Sequence, residues 1–180
     1  APVAEAISAG LLSRVSTLCA KGVTPKLAIV RFGEQAGDLA YERGIVKTFA
    51  PLGILVETVV LSPDADDDAL QNALVHLGAD ESVHGILPMR PFPKWIDDAA
   101  ARAAIPPEKD ADGVTDRSLA GLFTNSRVGY APCTAEACMA LLEHERIPLE
   151  GVRAVVVGRS LVIGKPVSML LLSRNATVTI

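Results

Sequence analysis

A chain of 180 residues, 49% of them hydrophobic, can bury the core of one domain or of one domain plus part of a second. Aromatic residues make up only 4%, and a core of Ala, Val, Leu and Ile suits helices packed on parallel strands better than a β-sandwich. The net charge of -4 argues against nucleic acid as a partner, because such proteins present a basic face. No uncharged apolar run reaches the roughly 18 residues that span a bilayer, and no signal peptide opens the chain, so a cytosolic protein with no membrane partner is expected.

Residues 2–20 carry Val3, Ile7, Leu11, Leu12, Val15 and Leu18 at helical spacing, with Gly22 as a stop, which predicts an amphipathic helix. Lys26–Phe32 is a short apolar run between Pro25 and Gly33 and reads as a buried strand. Helix over 39–51, strand over 54–61 and helix over 65–77 follow, the alternation typical of crossover units. Val83–Leu87 gives a third strand, and Pro88, Pro91 and Pro93 make a proline-rich loop at its carboxyl end, where α/β sheets keep ligands.

After Pro106–Gly113 an irregular stretch is expected to run to Pro132. Thr134 is expected to cap a helix running to about Glu145. A second unit then begins at Gly151, with strand 153–157, turn 158–163, helix 164–173 and a further strand from Ala176. The expected domains are 1–133, a connector over 134–150, and 151–180 as the first part of a dinucleotide-binding domain that the chain does not complete. Cys19, Cys133 and Cys138 form no CxxC pair and read as buried thiols. His76, His84 and His144 lack metal-ligand spacing, so no metal site is expected.

The stretch Ala154–Pro166 is the most chemical part of the sequence. Apolar residues run into Gly158, and a helix with Gly164 near its start follows, the setting of a nucleotide phosphate turn. Gly158 permits a tight turn, Gly164 permits close approach, the helix's first N–H groups attract an anion, and Arg159 adds a cation. The spacing matches neither G-x-G-x-x-G nor Walker A.

Tyr41, Val83–Leu87, Lys109–Gly113, Pro132–Thr134, Val155–Ser160, Gly164–Pro166 and Asn175–Thr179, taken in order, resemble the bifunctional methylenetetrahydrofolate dehydrogenase/methenyltetrahydrofolate cyclohydrolase family. The resemblance implies an α/β folate-binding domain facing a Rossmann-type NADP domain across a cleft, in a cytosolic homodimer. It implies NADP-dependent oxidation of 5,10-methylenetetrahydrofolate to methenyltetrahydrofolate, then hydrolysis to 10-formyltetrahydrofolate. Tyr41 matches the tyrosine that packs on the folate, and Asp112 the acid that holds the pterin; Pro88, Met89 and Arg90 occupy the substrate loop. Gly158, Arg159, Ser160 and Gly164 match the cofactor segment, Arg159 and Ser160 suiting a ribose 2′-phosphate and hence NADP over NAD. Thr134 lies where the family brings its domains together near the cofactor.

Two positions depart from the family. Ile45 stands where the family has a lysine one helical turn after the tyrosine, and Lys47, roughly 200° further around a helix, does not replace it. Met89 stands where the family has a glutamine. Hydride transfer needs close, aligned reactants, whereas hydrolysis needs an activated water and proton movement. The expectation is a dehydrogenase with weak or absent cyclohydrolase activity. The competing readings are a non-catalytic folate- or nucleotide-binding relative and an oxidoreductase of altered substrate on the same scaffold.

Overall fold

The computed structural model describes residues 2–126 and 128–180. The chain divides into two compact units, Ala1–Ala111 and Asp112–Ile180.

The first unit is built on a parallel sheet in the order β2-β1-β3, from β1 (Lys26–Phe32), β2 (Leu55–Leu61) and β3 (Gly85–Pro88). The central strand β1 is buried on both faces, which is why its sequence is an almost unbroken apolar run. Its even residues Ala28, Val30 and Phe32 join Ile86 in a core with Leu70, Leu74 and Leu77 of α3 (Asp67–Ala79) and Ala101 of α4 (Asp98–Ala103). Its odd residues Leu27 and Ile29 join Leu87 and Met89 on the opposite face, against Ile45 and Phe49 of α2 (Ala36–Phe49). The result is a helix–sheet–helix sandwich, the α/β class the composition favours.

The helix α1 (Pro2–Ala20) departs from the amphipathic expectation. Leu11 is half-buried and Val15 buried, but Ile7 and Leu18 on the same face, and Leu12 beside it, are exposed, so little of the apolar face is covered. By length and composition alone this helix is apolar enough to cross a membrane, with a mean hydropathy of 1.2. The strand β3 begins two residues later than expected, because Val83 N–H closes a turn onto Asp80, and it ends by including Pro88 at its last position.

The second unit holds α5 (Asp116–Thr124), α6 (Cys133–His144), β4 (Arg153–Val155), α7 (Gly164–Ser173) and β5 (Thr177–Thr179). Strands β4 and β5 pair in parallel, and Ala154, Val156 and Val178 pack with Met139, Leu142 and Leu171 of α6 and α7. Only that face of the pair is covered, so Val155 and Val157 are 73% and 99% exposed.

Three further expectations are corrected. The stretch from Gly113 to Pro132 is not wholly irregular, since α5 lies within it, capped by Thr115, whose hydroxyl accepts from Ser118 N–H. The cap of α6 is Pro132 rather than Thr134. Pro132 supplies the extended residue, its carbonyl accepts from Ala135 and Glu136, and Thr134 is left exposed inside the first turn. None of the three cysteines is buried: Cys19 and Cys133 are exposed and Cys138 is half-buried.

Candidate functional site

In the first unit the substrate candidates gather around α2 and the end of β3. Tyr41 is 58% exposed on α2, and Ile45 follows one turn later on its inner side. Met89 N–H continues the β3 ladder by donating to the Val30 carbonyl at 2.7 Å, which turns the methionine side chain into the same apolar cluster as Ile45. Ile45 and Met89 therefore share one packed apolar environment with Leu27, Ile29 and Leu87.

Pro88 is buried at the end of β3. Arg90 follows, joined to Pro91 by a cis peptide bond, and lines a cavity of about 470 Å³ with Phe92, Lys94, Ile96 and Asp98. The Arg90 guanidinium is engaged: Nη1 meets Asp98 Oδ1 at 3.0 Å, while Arg102 Nε meets Asp98 Oδ2 at 2.9 Å. Burial opposes ionisation of Asp98, but hydrogen bonds and charge from Arg102 and Arg90 outweigh it and hold the carboxyl below its ordinary value.

A cluster not foreseen in the sequence fixes α2 to the sheet. Arg31, buried near the end of β1, donates from Nε to Glu42 Oε2 at 2.7 Å, and from Nη1 to the Gly33 carbonyl. Thr58 of β2 donates to Glu42 Oε1 at 2.8 Å. Burial works against the Glu42 carboxylate, yet the bonds from Thr58 and Arg31 prevail and lower its pKa. The signal available in the sequence was an arginine inside a strand buried on both faces, since a buried charge demands a partner. Glu42 is the residue after Tyr41, so this contact also sets where the tyrosine stands.

The segment leading to Asp112 is tied down from its amino-terminal side. Lys109 Nζ donates to the carbonyls of Leu77, Gly78 and Asp80 at 3.3, 2.8 and 2.7 Å, closing the end of α3. Ala111 N–H donates to the Ile86 carbonyl at 3.3 Å. Asp112 is half-buried in the turn that follows, and Gly113, with φ +68°, leaves no room for a Cβ beside the backbone of Ala131.

In the second unit the glycine turn is closed on itself. A Cβ on Gly164 would overlap the Gly158 carbonyl, so close packing explains this glycine, and Gly158 itself has φ +150°. Ser160 Oγ accepts from Ile163 N–H at 3.0 Å and more loosely from Gly164 N–H at 3.4 Å, while the Ser160 carbonyl accepts from Lys165 N–H at 3.0 Å. Pro166 has no N–H. The expectation that the first N–H groups of α7 wait for an anion is thereby corrected: Ser160 and the proline ring consume them. The features that still fit an anionic dinucleotide are Arg159, which is exposed and has no ion pair among the described residues, and the Ser160 hydroxyl proton, since both its bonds here use the oxygen as acceptor.

A helix–sheet–helix unit followed by a unit with a parallel strand pair and a closed glycine turn defines a two-part α/β protein of the dinucleotide-binding kind. Residues 1–112 match the sequence model of the tetrahydrofolate dehydrogenase/cyclohydrolase catalytic domain, and residues 132–180 that of the same family's NAD(P)-binding domain. The chain belongs to the tetrahydrofolate dehydrogenase/cyclohydrolase family.

Among curated relatives it is 46% identical, over 99% of its length and 62% of the other's, to the bifunctional protein FolD of Carboxydothermus hydrogenoformans. Among solved structures it is similar to the bifunctional FolD methylenetetrahydrofolate dehydrogenase/cyclohydrolase of Campylobacter jejuni, with TM-score 0.95 and 30% identity, covering 99% of this chain and 63% of that one. The Trypanosoma brucei FolD complexed with NADP cofactor and inhibitor gives TM-score 0.90 and 34% identity, with coverage of 99% and 61%. The chain thus spans a little over three fifths of the length of these relatives.

Proposed function

We propose that this protein oxidises 5,10-methylenetetrahydrofolate to 5,10-methenyltetrahydrofolate with NADP as acceptor, and that its hydrolysis of the product to 10-formyltetrahydrofolate is weak or lost. The observation that carries the second half is the shared apolar environment of Ile45 and Met89, at positions where the family resemblance leads one to expect a lysine and a glutamine. An aliphatic side chain and a thioether offer no group that can shuttle a proton to or from water. Oxidation makes no such demand, since it depends on holding the donor carbon close to the acceptor.

In this reading Tyr41 lays its ring against the folate, and the Asp112 carboxylate accepts hydrogen bonds from the amino-pyrimidine edge. Pro88, Met89 and Arg90 border the folate, and Arg159 and Ser160 take the 2′-phosphate. Gly158 and Gly164 shape the cofactor turn, and Thr134 stands near the cofactor. NADP, when bound, supplies the hydride acceptor. The match to the family's NAD(P)-binding domain and the NADP complex of the Trypanosoma brucei relative support this cofactor. A cytoplasmic homodimer is the working form that the family resemblance supports.

Two assays on the intact protein test the proposal. With methylenetetrahydrofolate and NADP, the methenyl product's absorbance should rise. With methenyltetrahydrofolate supplied directly, its decay should match the spontaneous rate, and decay well above that rate would sink the claim of a lost second step. No rise in the first assay, with both ligands bound, would mark a non-catalytic binding protein instead.

A further inference from the structure

The closed turn raises a question of charge. Dinucleotide folds commonly seat the pyrophosphate on the free N–H groups at a helix N-terminus. Here those groups are occupied, two by Ser160 Oγ and one by the Ser160 carbonyl, and Pro166 brings none. The helix N-terminus thus offers no free amide to the charge common to NAD and NADP, which leaves the turn and the side chains beside it to meet that charge.

The α7 first turn carries one cation, Lys165. It is exposed and has no salt bridge or side-chain hydrogen bond among the described residues. Its backbone N–H bonds the Ser160 carbonyl, which places it directly across the turn from the Arg159–Ser160 pair. The preceding residue, Gly164, packs so near the backbone of Gly158 and Arg159 that a Cβ there would overlap both. Arg159 and Lys165 thus flank the two sides of one closed loop. Burial or a competing carboxylate would disqualify either residue, and neither applies.

We infer that Lys165 binds the pyrophosphate of the cofactor, supplying by its ammonium what the occupied α7 N-terminus cannot, while Arg159 meets the 2′-phosphate. The inference rests on the oxidoreductase reading above. It divides the labour by ligand: Lys165 serves NAD and NADP alike, and Arg159 serves NADP alone.

The test is titration of the intact protein with NADP and with NAD, for the unsubstituted protein and for Lys165→Met, Lys165→Arg and Arg159→Met. A charge-assisted contact of this kind corresponds to about tenfold in affinity. Lys165→Met should weaken both dinucleotides about equally by that factor, and Lys165→Arg should restore them. Arg159→Met should weaken NADP and spare NAD. Thermal unfolding at an unchanged midpoint will show that exposed Lys165 was not holding the fold. Lys165→Met binding both dinucleotides within twofold of the unsubstituted protein, or losing NADP only, would overturn the inference. If the unsubstituted protein binds neither dinucleotide, the oxidoreductase reading falls and this inference with it.

Discussion

Glu42 offers the sharpest test of how α2 is held. The helix has no fully buried residue, and besides the half-buried Ile45 and Phe49 its main anchor to the sheet is the Glu42 carboxylate between Arg31 and Thr58. Replacing Glu42 by Leu removes both bonds and leaves Arg31, only 8% exposed, without its counter-charge. Breaking a buried pair on one side costs about 3–5 kcal/mol, and partial exposure of Glu42 puts this case at the lower end, about 3 kcal/mol. For a unit of this size that is a fall in Tm on the order of 10 °C. Glu42→Gln keeps the shape and the Thr58 bond and should lose about half as much.

The pH dependence has a definite sign. Because folding lowers the Glu42 pKa, its contribution is complete above the ordinary glutamate value of 4.5 and disappears as pH falls through the lower folded value. Thermal melts of wild type and Glu42→Gln should therefore differ by a constant amount from pH 7 down to about pH 5 and converge in acid. A gap at pH 7 below about 0.5 kcal/mol, or one that widens in acid, would refute the reasoning. Because Tyr41 precedes Glu42, the same variants should raise the folate KM, measured by initial rates.

Three other outcomes are expected. Gly164→Ala, whose Cβ has no space beside the Gly158 carbonyl, should open the turn and weaken dinucleotide binding by at least about tenfold in a fluorescence titration. Ile45→Lys alone should cost about 1–2 kcal/mol in denaturant unfolding, since the lysine stem must thread out of an apolar cluster. Combined with Met89→Gln, it should raise methenyltetrahydrofolate hydrolysis by about a hundredfold, at the low end of what acid–base groups supply, measured by absorbance decay. Ser160→Ala removes the acceptor for Ile163 and Gly164 N–H and should cost about 1 kcal/mol in unfolding, with cofactor affinity falling as well.

The strand β1 and the helix α7 were legible to the residue, because each is bracketed by breakers and carries the apolar pattern that its burial requires. α5 was not, because its inward positions are Ser118 and Gly121 rather than large apolar residues. Gly121 lies against the Val128 carbonyl and Ser118 hydrogen-bonds Thr115, so close approach replaces apolar burial, while Leu119, Leu122 and Phe123, the apolar positions at helical spacing, are half-buried or exposed. Among the site residues, Ile45 and Met89 could be suspected of sharing an environment from the resemblance alone. The closure of the turn by Ser160 could not, since a serine two residues after a glycine looks like a ligand donor until its lone pairs are traced. Arg31 and Glu42 are eleven residues apart, and their pairing depends on strand register and helix phase together.

The two faces of the first unit's sheet are unequally secured. The α3 side carries fully buried Leu70 and Leu74, whereas α2 rests on half-buried side chains and one ion pair. Local opening follows such differences, so the amide hydrogens of α2 should exchange with solvent well before those of β1 and α3. The helix that carries Tyr41 is then the less secured side of the unit, while the leucine-packed side keeps the sheet intact.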